Sequence, residues 1–271
     1  MNTSGTGGAL IGRLNSGSQT SHFKNIVNNA MVTSTTQSTS DSAAGLIGNA
    51  QSPVSLERCF NQGTVKGLRG VGGLIGRSAA GMTITLSKNT ADIVGQRFVG
   101  GLAGYAADGK ITESFNSGNI GGSESNIMYI GGLVGAILSG ESRTQTIENC
   151  FNAGVINGAT TGSFTAYIGG LLGNIISPKG TETITVKYCY SAESNHRVPI
   201  PKLNTSNRTF DNLYFISDTA DANGYAVNLT EEMLKGIDIP SDIPSGIWFI
   251  RKEGYPYPQL IHNPYGSEGE I

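Results

Sequence analysis

The stretch GGLIGRSAAGMTITLSKNTADIVGQRFVGGLAG, residues 72–104, carries one five-residue pattern at both ends: Gly72-Gly73-Leu74-Ile75-Gly76 and Gly100-Gly101-Leu102-Ala103-Gly104. Outward from it, the pattern Gly/Ala-Gly/Ala-Leu-apolar-Gly returns at 8–12, 44–48, 131–135 and 169–173. Its leucines, Leu10, Leu46, Leu74, Leu102, Leu133 and Leu171, lie 36, 28, 28, 31 and 38 residues apart. A second pattern follows each copy: apolar-x-x-small-aromatic-Asn, then commonly Gly and a β-branched residue. It is fullest at 56–65 (LERCFNQGTV), 111–120 (ITESFNSGNI) and 147–156 (IENCFNAGVI), and weaker at 23–32, 84–93 and 186–192. Asn28, Asn61, Asn89, Asn116 and Asn152 hold its sixth place, and Ser191 replaces Asn in the last copy.

Two alternating motifs make one repeat of about 28 residues plus insertions, each with short β-branched or aromatic segments set off by Gly, Asn and Ser. Short strands at a fixed long period predict an all-β fold, a right-handed parallel β-solenoid of about six coils. Equivalent residues then stack ~4.8 Å apart. The leucines would form an aliphatic column, and the stacked Asn amides would bond from coil to coil, because a buried amide requires a partner. The paired glycines would permit positive φ and close backbone approach. They do not read as a dinucleotide loop, which needs GxGxxG leading into a helix.

Composition narrows the function classes. Glycine supplies 39 of 271 residues, about twice the usual share, and charged residues only 14%. A net charge of −2 excludes bulk gripping of nucleic acid. No apolar run reaches the ~18 residues of a membrane span. Cys59, Cys150 and Cys189 occupy one repeat position without any CxxC, so they read as small buried residues and not as zinc ligands or a disulfide scaffold. The chain opens inside a repeat and has no basic-then-apolar leader, which suggests a mature or truncated piece of an exported protein.

The alternation of GGLxG with apolar-x-N-C-F/Y-N-x-G, clearest at 72–76, 100–104, 131–135, 147–158 and 169–173, resembles the GLUG motif of bacterial repeat proteins. The resemblance spans roughly residues 5–193 and departs from the pattern near 25–32 and 87–89. It implies an extension module of a large exported, adhesin-like protein at the cell surface, with no catalytic residues to carry over.

Residues 1–193 therefore read as the repeat domain and 194–271 as a C-terminal capping segment. Within the latter, 212–217 and 247–250 read as strands and 230–236 as a short helix capped by Thr230. An open solenoid end exposes core and unpaired strand edges, and this segment has the apolar mass to cover one. Polar insertions at 33–42, 121–128 and 157–164 fall at the same point of the repeat, so they are expected along one edge.

No catalytic, metal or cofactor motif stands out. His22, His196 and His262 lie far apart. Glu57 and Glu148 are equivalent but three coils apart, Glu113 occupies a neighbouring position, and Asp92 and Asp108 fall near turns, so no carboxylate pair forms for glycoside cleavage. The favoured reading is a non-enzymatic surface module for adhesion or rigid extension, contacting an unidentified protein or glycan. The alternative is a carbohydrate-binding or polysaccharide-processing β-helix. Tyr129 and Tyr167 are equivalent and would stack as an aromatic ladder, with Tyr255 and Tyr257 as further aromatic candidates. The threonines at 83/85, 144/146 and 181/183/185 do not recur in every coil, as an ice-binding lattice would require. Finally, strand alternation points Leu inward and the next residue outward. That makes Ile47, Ile75 and Val134 part of an exposed apolar strip for partner contact, unless a bend turns both inward or residues 194–271 fold over it.

Overall fold

The computed structural model describes residues 2–3, 5–35, 42–122, 127–138, 142–158, 165–176, 181–192, 198–201, 207–216, 221, 223–231, 248–249 and 259–260. They are nearly all β, in parallel sheets, one of them strongly curled, an arrangement consistent with a parallel β-helix or solenoid. One six-stranded sheet runs Asn2–Thr3, Val32–Ser34, Val65–Lys66, Ile93–Gly95, Ile120–Gly122, Ile156–Asn157. A second runs Gly7–Gly8, Ala43–Ala44, Arg69–Gly72, Arg97–Gly100, Ile127–Gly131, Thr165–Gly169. The curled sheet holds 17 strands, including Ile75–Thr85, Lys88–Asn89 and Ala103–Thr112.

One repeat shows how the sequence makes the circuit. Arg69–Gly72 lies in the second six-stranded sheet, and the chain bends at Gly73-Leu74. It then runs as Ile75–Thr85 in the curled sheet, turns, adds Lys88–Asn89, and crosses to Ile93–Gly95 in the first six-stranded sheet. Each segment pairs with its equivalent in the next repeat: Val71 with Val99, Ile75 with Ala103, Asn89 with Asn116, Ile93 with Ile120. Within the circuit lies an aliphatic core in which Leu46, Leu74, Leu102, Leu133 and Leu171 are fully buried, while Leu10, in the first repeat, is 43% exposed.

The bend corrects the expected apolar strip. Ile47, Ile75 and Val134 are as buried as the leucines beside them. Leu74 sits in the bend and Ile75 begins the next strand, so strand alternation does not connect them, and both side chains enter the core. The partner-contact role expected for these three residues falls with it. A column with apolar rings does stack elsewhere, at the aromatic position of the Asn motif. Phe115, Phe151 and Tyr190 stack at centroid distances of 4.6 and 4.9 Å. Trp248 packs on the last two and donates its indole N–H to Asn149 Oδ1 at 3.3 Å. The C-terminal segment thus covers the flank of the stack at this point.

Parallel pairing also runs past residue 193. Arg208–Ile216 pairs in register with Thr183–Ser191, and Val227–Leu229 pairs with Arg208–Ile216. The strand expected at 212–217 is the end of that longer strand, and Trp248–Phe249 forms an antiparallel pair with Gln259–Leu260. Most of the expected helix at 230–236, the tyrosines at 255 and 257, His196 and His262 lie outside the described residues. No helix among the described residues is long and apolar enough to cross a membrane.

Candidate functional site

The two repeat motifs meet inside the circuit. Asn28 Nδ2 donates to Asn61 Oδ1, Asn61 to Asn89, Asn89 to Asn116 and Asn116 to Asn152, at 2.7–2.8 Å. The same amide nitrogen donates to the carbonyl two residues on, as from Asn89 to Ala91 at 2.8 Å. The second glycine of the Gly-Gly pair faces this ladder: a methyl on Gly73 would overlap Asn89 and the Gly101 carbonyl, and one on Gly101 would overlap Asn116. These glycines have ordinary negative φ, so close approach and not left-handed backbone explains them.

Left-handed backbone occurs instead at a position with no single repeated residue type. Asn25, Arg58, Leu86, Glu113, Asn149, Tyr188 and Asn212 all have φ of 45–56°, at one equivalent corner of successive repeats. Their amides donate to the adjoining strand, as from Leu86 to Thr112 O at 3.2 Å. The following residue closes the corner. Ser87 and Ser114 hydroxyls donate to the carbonyl two residues back at 2.8 and 2.7 Å, and the Cys150 and Cys189 thiols do so at 3.1 Å. The cysteines are thus buried serine equivalents, as their repeat position suggested. Burial pushes the Cys59 thiol up from its ordinary value. Burial, then the neighbouring Cys150 sulfur, pushes Cys189 up strongly.

The acids are strung out singly. Lys24, Glu57, Thr85, Thr112, Glu148, Lys187 and Asp211 form one cross-strand column. Lys24 pairs with Glu57 at 2.9 Å, a hydrogen bond that holds the Glu57 carboxyl below its ordinary value, and Lys187 pairs with Asp211 at 3.8 Å. Asp92 accepts from the Asn119 amide and Asp108 from the Thr144 amide. Lys110 interrupts the threonine rank between Thr83 and Thr146.

Tyr129 and Tyr167 do stack, at 5.2 Å and 7°, and Phe98 extends the row at 5.3 Å from Tyr129. Both tyrosines are half-buried. Stacking turns the ring faces toward one another, which leaves edges and hydroxyls, not faces, along the row.

This row borders a cavity of about 370 Å³ lined by Arg69, Arg77, Arg97, Phe98, Tyr105 and Ile176. Arg69 and Arg97 are direct neighbours on adjacent strands, and Arg77 is the neighbour of Tyr105. The Arg69 and Arg97 guanidinia lie 5.3 and 4.9 Å from the Phe98 ring centre, and Arg77 lies 5.3 Å from that of Tyr105. No ion pair found among the described residues includes any of the three arginines. Arg77 Nε and Arg97 Nε are buried without a hydrogen-bond partner. Burial, then the charges of Arg97 and Arg77, holds Arg69 below its ordinary value, and burial raises Tyr105. Like charges on directly opposed strand positions work against a sheet and the ring contacts work for it, while the arrangement lines the cavity with guanidinium donors. It can accept an anion. Sequence reasoning passed over these arginines because none belongs to either repeated motif.

Comparison with family models, with curated proteins and with solved structures finds no match to this chain.

Proposed function

We propose that this chain is a non-enzymatic module of a bacterial cell-surface protein, working outside the cell in adhesion or as a rigid extension. In this reading the GLUG-like repeats build a right-handed solenoid of about six coils, with the C-terminal segment as its cap. The observation that carries it is the disposition of the acids. Glu57 and Glu148 are separated by Thr85 and Thr112 in one column, and each stands beside a lysine position, Lys24 or Lys187. Glycoside cleavage by paired carboxyls needs two of them on one site, ~5–10 Å apart. Three strand spacings amount to about 14 Å. The continuous amide ladder from Asn28 to Asn152 supports a stiff element that holds other modules apart.

The test is a polysaccharide-cleavage screen run beside a binding assay on whole cells and glycans. Binding without release of new chain ends is expected. Cleavage that disappears in Glu148→Gln would overturn this reading in favour of a polysaccharide-processing enzyme.

A further inference from the structure

We propose that the Arg69–Arg77–Arg97 groove is a binding site for an acidic saccharide, an oligosaccharide bearing carboxylates along its chain. The inference stands on the groove itself and does not depend on the surface-protein reading. Three guanidinia converge on one cavity with no carboxylate among its described lining residues, and two of their nitrogens are buried and unbonded. A planar carboxylate matches the guanidinium fork and would supply the missing charge and acceptors together. The cavity size falls within the ~300–1,000 Å³ range of small-ligand sites.

Shape and hydrogen-bonding character select the ligand class. The lining runs from Arg69, on one strand of the stack, to Ile176, three repeats further on. At ~4.8 Å per strand the groove is about 14 Å long, which suits a short linear chain better than a single ion. Its walls are strands already paired on both sides, as Arg97–Gly100 is with Arg69–Gly72 and Ile127–Gly131. A peptide therefore finds no free edge to extend, and side chains must do the recognising. Those side chains are rich in donors: guanidinium N–H groups from two adjacent repeats, with the Tyr105 hydroxyl beside them. Such a lining favours a ligand rich in acceptor oxygens, as a saccharide of carboxylates, hydroxyls and ring oxygens is. Nucleic acid is disfavoured by the net charge of −2.

The experiment is calorimetric titration of the full chain with trigalacturonate, and in parallel with maltotriose, triglutamate, inorganic sulfate and a short single-stranded oligonucleotide. Trigalacturonate should bind, tenfold or more tightly than each of the others, and Arg77→Gln and Arg97→Gln should each weaken it at least tenfold. Equal binding of maltotriose, triglutamate, sulfate or the oligonucleotide would overturn the assignment, as would unchanged affinity in both variants. If the variants fail to fold, the wild-type chain still decides. Adding trigalacturonate should shift the Nε–H resonances of Arg77 and Arg97 in a nuclear magnetic resonance titration, and their failure to move would rule the site out.

Discussion

The Asn28–Asn152 ladder and the Arg69–Arg97 groove are both polar side chains stacked on neighbouring parallel strands, yet stacking has opposite effects on them. An amide donates and accepts, so each Asn satisfies the next, and the column can be buried completely at Asn61, Asn89, Asn116 and Asn152. A guanidinium only donates. Stacking Arg97 on Arg69 therefore brings like charges together, and Arg97 Nε is left unbonded. A repeat fold extends self-complementary groups without limit, whereas a stack of one-sided groups requires something from outside the chain.

Breaking the ladder should have the largest effect. Asn89→Ala strands the Asn61 donor and the Asn116 acceptor, at roughly 1–3 kcal/mol for each buried group left unpaired. Urea unfolding should thus show a loss of roughly 2–6 kcal/mol. Next comes Gly101→Ala, which pushes a methyl against Asn116 and the Gly132 carbonyl. Overpacking of this kind typically costs about 1–3 kcal/mol, read in the same way.

The buried thiols give a pH test that involves neither column. The Cys59 and Cys189 values are raised in the folded chain. Their contribution to stability is complete below the unfolded thiol value of about 8.5 and is lost as pH rises toward the folded values. Stability should fall by on the order of 1 kcal/mol per pH unit for each thiol above about pH 8.5. Cys189→Ser, which copies the Ser87 and Ser114 corners, should flatten that slope. The smallest effect is expected at the groove. Arg97→Gln removes a cross-strand repulsion worth about 0.2–1 kcal/mol together with a cation–π contact to Phe98 worth about 0.5–1 kcal/mol. Its melting temperature relative to the parent chain should be higher at low salt than in 1 M NaCl, where the screening length is ~3 Å and the repulsion is gone. A melting-temperature difference that does not change with salt would mean that the stacked arginines do not repel one another, and the contrast with the ladder would collapse.

What could be read in the sequence is whatever recurs in identity. The leucine column and the Asn ladder were legible because one residue type returns at one place, and stacking makes neighbours of equivalent positions. The left-handed corner was not, because Asn25, Arg58, Leu86, Glu113 and Tyr188 share a backbone conformation and no side-chain chemistry. Ile75 was assigned outward because alternation holds only within a strand, and the chain bends at Gly73-Leu74. The groove was invisible for a further reason. Arg69 and Arg97 come from one sheet and Arg77 from another, and repeat analysis averages away residues found in only one or two copies.

The Asn ladder also has a direction. Every amide hydrogen points toward the strand that follows in chain order, and every amide oxygen faces the one before. Aligned hydrogen bonds polarise one another, so their dipoles add along the stack. The molecule thus has an electrical axis, with its negative pole at Asn28 and its positive pole at Asn152. At the positive end Ser191 takes the place of the next Asn, and parallel strands run on to Val227–Leu229, so the chain's own backbone covers that pole. A neutral side chain thereby gives the repeat stack a polarity that its alternating backbone groups do not supply.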